Sequence, residues 1–137
     1  AKSNYNGGSQ TLNFQVKTDG DCENTNNNYG AISDERVKQQ IVDASDQWDD
    51  IKALQIRKYK LNGLVEYDGD ENTPFHLGVI AQELEAAGLG GLVKTDDETG
   101  MKSVKYTILY MKAVKALQEA ITKIETLEAR IAALENA

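Results

Sequence analysis

Apolar and polar positions divide this 137-residue chain into three stretches with different periods. In the first, Leu12, Phe14 and Val16 alternate with Asn13, Gln15 and Lys17, the two-residue period of a half-buried strand. Asp19-Gly20 ends it, and the polar run Glu-Asn-Thr-Asn-Asn-Asn at 23–28 predicts a loop. Residues 1–32 thus read as one strand and a flexible leader. That is too little to fold alone, and the segment is expected to be the tail of something longer.

The second stretch, 33–105, is mixed. Val37, Ile41, Ala44, Trp48, Ile51 and Leu54 step by three and four, which predicts one face of a helix. Gln55–Leu61, with Ile56 and Tyr59 among basic residues, is a candidate strand. Asn62-Gly63 marks a turn and Asp68–Pro74 a polar loop. Phe75–Ile80 reads as a short strand running into a helix over Ala81–Ala87, stopped by Gly88. Gly90-Gly91 marks a turn, and Asp96–Gly100 is the expected tip of a hairpin between Leu92–Thr95 and Met101–Tyr106.

The third stretch, Thr107–Ala137, has no Gly or Pro and is rich in Ala, Leu, Glu and Lys. Val114, Leu117, Ile121, Ile124, Leu127, Ile131 and Leu134 step by 3, 4, 3, 3, 4 and 3. That spacing is a coiled-coil seam with one three-residue stammer, and so narrow a stripe is expected to be buried against copies of itself. Its side chains alone lean towards two parallel strands, and the seam does not by itself establish a trimer. The fold class expected is α+β, a small mixed domain followed by a long coiled-coil helix.

Composition narrows the partners. Fifteen Lys+Arg against 22 Asp+Glu give a net charge of −7, which argues against a nucleic-acid backbone or an anionic membrane as the main partner. No apolar run approaches the ~20 residues that span a bilayer, no signal-peptide pattern opens the sequence, and a cytosolic folding environment fits. Cys22 is the only cysteine, so no intrachain disulfide forms, and in its Asn-rich surroundings it reads as a bystander. One Cys and one His do not build a usual zinc sphere, and no phosphate-binding glycine loop is present, so no cofactor or metal is expected.

Candidate chemistry begins at Ser33-Asp-Glu-Arg-Val-Lys38. A serine hydroxyl is a poor nucleophile until a base takes its proton, and a lysine does so only as the neutral amine. Bringing a lysine from about 10.4 to near 7 requires disfavouring the ammonium by roughly 4–5 kcal/mol, the kind of cost met by burial at a subunit interface. A plainer reading stands beside this one: Ser33 followed by two acids is also a helix N-cap. In a regular α-helix, moreover, residues five apart point to different faces, about 140° round and ~7.5 Å along the axis. Either 33–38 is not such a helix, or the lysine serves the serine of a neighbouring chain. His76, the only histidine, borders an apolar strand, where a structural role competes with a chemical one.

Ser33-Asp34-x-Arg36-x-Lys38, then His76-Leu-Gly-Val-Ile-Ala-Gln-Glu83, then a heptad-like helix, in that order, resemble the self-cleaving intramolecular chaperone domain at the C-terminus of phage tailspike, tail-fibre and endosialidase proteins. The resemblance implies a parallel homotrimer that aligns a β-fibre and then releases itself by one autoproteolytic cut. Carried onto this chain, the scissile bond is Ile32–Ser33, with Ser33 as nucleophile and Lys38 as base. Attack followed by hydrolysis, or an N-to-O shift of the Ile32 acyl group, are both open routes. Asp34, Glu35 and Arg36 would orient or tune the site. Arg36 ranks above Glu35 because it can hold a carbonyl or carboxylate by two hydrogen bonds. His76 is a secondary candidate, whereas Gly78 reads as close backbone packing and Gln82 and Glu83 as helix structure.

On this reading residues 1–32 are the end of the passenger fibre and 33–137 the chaperone, with 33–105 mixed and 106–137 coiled coil. The partners are two further copies and the passenger; assembly takes place in the host cytoplasm, and the passenger part ends in the virion tail. The enzyme class implied is a single-turnover Ser-Lys endopeptidase. The alternative is a permanent, non-catalytic trimerisation module in which Ser33 is only a cap. A receptor-binding fibre tip fits less well, because the six Tyr are dispersed and Trp48 sits on the expected apolar stripe.

Overall fold

The computed structural model describes residues 14–18, 20–25, 30–62 and 74–137. They fall into two compact units, residues 1–42 and 43–137.

In the first unit, β1 (Phe14–Val16) pairs antiparallel with β2 (Cys22–Asn24), with Phe14 opposite Asn24 and Val16 opposite Cys22. Gly20, at φ 93°, makes the turn, closed by Lys17 N–H to Asp21 C=O at 2.8 Å. The second strand departs from the loop expected from residue 23. Its polar side chains are used across the hairpin: Gln15 Nε2 donates to Glu23 Oε2 at 2.7 Å, and Lys17 pairs with Glu23. Such cross-strand polar pairs substitute for apolar ones, so the alternation rule misses the strand. Leu12, Asn13, Asp19 and residues 26–28 of the expected loop lie outside the described residues, as do residues 1–11 of the leader.

The helix expected over Val37–Leu54 is also corrected. Only a single 3-10 turn, Glu35–Val37, and the short helix α1, Trp48–Ala53, form within this region. Between them Lys38 is extended (φ −116°, ψ 150°) and Gln40 takes a left-handed φ of 52°. Val37, Ile41 and Val42 stay exposed. Helical spacing without a surface to bury the stripe does not repay nucleation.

The second unit is built on the long helix α3, Tyr106–Glu135. Strand β3 (Arg57–Tyr59) pairs antiparallel with β4 (His76–Gly78), and α2 (Ala81–Ala86) follows directly. Gly88, at φ 78°, lets the chain leave α2 in the left-handed conformation typical of helix ends. Hairpin β5 (Val93–Thr95) and β6 (Lys102–Val104) forms as expected. Asp96 Oδ1 accepts from the Thr99 N–H at 2.8 Å and its hydroxyl at 2.7 Å, and Gly100 supplies φ 70°. Gly63 and 68–73 of the expected turn and loop lie outside the described residues.

Val79, Leu84, Leu89, Leu92 and Leu109 form the core, with Ile51, Leu54, Val93 and Val104 packed against them. The architecture is α+β with small strands and one long C-terminal helix. Leu109 and Ala116 mark the buried face of α3, and Leu109 joins this core. Val114, Leu117 and Ile121 lie on average roughly 120° round the helix from that face. All seven seam residues are 47–76% exposed. Helix α1 is also joined to α3 by polar contacts. Glu119 accepts the Gln47 and Trp48 backbone N–H groups, while Lys112 donates to Gln47 Oε1 at 2.6 Å and Asp50 Oδ2 at 2.7 Å.

Candidate functional site

The 3-10 turn is the local device that decides where Ser33 and Lys38 go. Val37 N–H bonds to Asp34 C=O and Lys38 N–H to Glu35 C=O, both at 3.1 Å. The N-cap is Asp34, not Ser33: its carboxylate accepts the Arg36 backbone N–H at 2.9 Å. Ser33 is therefore released from the capping role that its position before two acids suggested. Tight winding between extended ends sets aside the angular separation of a regular α-helix. Lys38 Nζ donates to Ser33 Oγ at 2.5 Å within one chain. Both residues are exposed, and so is Ile32, on the other side of the proposed scissile bond.

Asp34 and Arg36 form a second contact beside the first. Arg36 Nε donates to Asp34 Oδ1 at 2.9 Å and Arg36 Nη2 to Oδ2 at 2.6 Å, a two-toothed ion pair. The Arg36 side chain, and then its backbone N–H, hold the Asp34 carboxyl below the usual aspartate range. The same pairing raises Arg36 above its ordinary value. Glu35 lies exposed in the turn.

His76 belongs to the second unit, where its ring stacks on Tyr59 with centroids 5.9 Å apart and planes 17° apart. Its neighbour in β4, Gly78, is a position of close approach. An added Cβ would lie 2.9 Å from the Tyr106 hydroxyl and 3.1 Å from that of Tyr59. Glu83 is held in α2 by a forked Arg57 contact, with Nη2 to Oε1 at 2.7 Å, so its place is structural. Among the described residues no group of His, Cys, Asp and Glu is arranged to hold a metal, and no helix is long and apolar enough to cross a membrane.

Residues 33–94 match a peptidase-family model described as chaperone of endosialidase. This segment is similar to that family. The matched segment starts at Ser33 and includes Lys38, the 3-10 turn and His76. No curated protein matches the chain. Sequence reasoning missed three residues that hold the second unit together. Arg57 reaches α2 across 26 positions, and Glu119 and Lys112 reach the start of α1 across 72 and 65. Their only signal was charge, which on a helix surface ordinarily means a solvated face.

Proposed function

We propose that this chain is an intramolecular chaperone that assembles as a parallel homotrimer, aligns a fibre passenger, and frees itself by one cut at Ile32–Ser33. The observation that carries the reading is the Ser33–Lys38 contact at 2.5 Å, at the start of the segment that matches the family model. Each step draws on the chain's own residues. Lys38, as the neutral amine, takes the Ser33 hydroxyl proton while Oγ attacks the Ile32 carbonyl carbon. The tetrahedral intermediate collapses with rupture of the Ile32–Ser33 C–N bond, and the Lys38 ammonium returns the proton to the departing Ser33 nitrogen. Water then hydrolyses the Ile32 ester, regenerating the Ser33 hydroxyl and leaving a carboxyl at Ile32.

Assembly is the condition for this chemistry. In a single chain both groups face solvent; enclosure by neighbouring protomers would remove water from the amine, and burial disfavours a charged form. The exposed stripe on α3 supports self-association through a coiled coil. Gathering three chains raises their effective concentration, which entwined β-fibres need because strand registration is entropically costly and slow. Residues 1–32 are the end of the passenger and 33–137 the chaperone. The cut makes the step irreversible, and the passenger is left kinetically trapped. Folding takes place in the host cytoplasm, and the passenger is carried into the virion tail.

The test is a denaturing gel with N-terminal sequencing of the purified chain beside Ser33→Ala. A fragment starting at Ser33 in the wild type alone supports the reading. A full-length wild-type trimer supports the alternative, a permanent trimerisation module without chemistry.

A further inference from the structure

One turn of 3-10 helix, with an extended residue at either end, is a weak support for two reacting groups. Two backbone hydrogen bonds do not offset the entropy of fixing it. Asp34 supplies what the backbone lacks. Its carboxylate makes three hydrogen bonds, all to Arg36: one to the backbone N–H at 2.9 Å and two to the guanidinium at 2.9 and 2.6 Å. The first fixes the start of the turn, and the other two fold the Arg36 side chain back along it. These bonds lie between Ser33 and Lys38 in the chain, so they constrain the two ends whose side chains meet at 2.5 Å.

The same geometry bears on what Arg36 does. An arginine meant to push a proton off a nearby lysine would leave its charge uncompensated. Here the fork is engaged with a carboxylate two residues away, and each charge stabilises the other.

We infer that Asp34 and Arg36 are positioning residues: a carboxylate–guanidinium clamp across the 3-10 turn that holds the Ser33 hydroxyl and Lys38 amine in contact and takes no part in proton transfer. This rests on the reading of Ser33 and Lys38 given under Proposed function. The clamp sets the fraction of time the pair is in contact, while the protonation of the amine is governed by its enclosure. Loosening the clamp therefore lowers the rate of cutting and leaves the pH midpoint of the rate where it was.

The experiment refolds the full chain from urea at a series of pH values and follows the fragment starting at Ser33 on denaturing gels. Wild type, Asp34→Ala, Asp34→Asn, Arg36→Lys and Ser33→Ala are compared. Asp34→Ala is expected to cut roughly tenfold more slowly, since it loses both the cap and the ion pair. Asp34→Asn keeps the cap acceptor and loses only a few-fold, and Arg36→Lys, without the fork, behaves similarly. All share the wild-type midpoint. Circular dichroism and size on a column check that each variant folds and assembles; should Asp34→Ala fail this check, the near-isosteric Asp34→Asn and Arg36→Lys decide. Wild-type rates in those two variants, or a midpoint moved by a pH unit, overturn the clamp. A wild type that stays whole, or a Ser33→Ala chain that cuts, overturns the underlying reading instead.

Discussion

Glu119 on α3 caps the start of α1 near Trp48: its two carboxylate oxygens accept the Gln47 N–H at 2.8 Å and the Trp48 N–H at 3.0 Å. Gln47 itself provides no side-chain cap. A helix of six residues has little stability of its own, so this borrowed cap ties its existence to α3. Glu119→Ala is expected to cost ~1 kcal/mol, the usual loss for a cap, read as a lower midpoint in urea denaturation. An unchanged midpoint, with Trp48 fluorescence also unchanged, would show that α1 docks without it.

Lys38→Arg separates charge from basicity. Arginine keeps the positive charge and can still reach a serine hydroxyl, but it does not deprotonate in proteins. Loss of a general base typically costs 10²–10⁴-fold, so the proposed cut is expected to become undetectable over the time in which the wild type is cut to completion. Trimers should form as before. If Lys38→Arg cuts at a rate near wild type, Lys38 is not the base.

The two residues that meet at 2.5 Å were legible in the sequence; the geometry that joins them was not. Ser33 and Lys38 could be named from the string they occupy, yet α-helical spacing put them on different faces. What brings them together is that Asp34, rather than Ser33, caps a turn only one winding long. The same optimism about helix misread Val37–Leu54, because periodicity reports where apolar residues fall and not whether a surface exists to cover them. Hairpin β5–β6, α2 and α3 were readable because turn residues and period agreed there. Strand β2 escaped because its pairing is polar, and Glu119 because its partners lie 72 and 71 residues away.

The Asp34 carboxyl gives the site a defined acid limit. Arg36 depresses it, first through the side-chain ion pair and then through its backbone N–H. A carboxyl depressed in the folded chain contributes stability above its unfolded value, roughly 3.9, and loses it as pH falls through the lower folded value. The clamp is thus expected to persist at pH 4, where an ordinary aspartate is about half protonated. Carbon-detected NMR of the Asp34 carboxyl, with the Arg36 amide as reporter of the turn, should show both changing together below that pH. A midpoint at or above the ordinary value contradicts the ion pair.

Charge placed on the exposed stripe should separate assembly from folding. Ile121 is 48% exposed and lies away from the face carrying Leu109 and Ala116, so Ile121→Asp leaves the core of the second unit intact. In a coiled coil the same change puts a carboxylate at each copy's apolar seam, losing roughly 1.5–3 kcal/mol of burial per chain before repulsion is counted. If the wild type assembles as proposed, sedimentation equilibrium is expected to show monomers of the variant at concentrations where the wild type associates. Cutting at Ile32–Ser33 should stop with it. Monomers that still cut would show that the serine and lysine need no neighbouring protomer.

Gly78 offers a test of packing with a built-in rescue. A methyl group there would sit 2.9 Å from the Tyr106 hydroxyl and 3.1 Å from the Tyr59 hydroxyl, each at the end of a rigid ring. Overpacking of this kind typically costs ~1–3 kcal/mol, so Gly78→Ala should lower the thermal midpoint by several degrees. Tyr106→Phe removes the nearer oxygen and should recover part of the loss when combined with Gly78→Ala; the Tyr59 contact remains and keeps the recovery incomplete. Strict additivity of the two changes would mean that Gly78 is required for its backbone and not for the space that two tyrosines occupy above it.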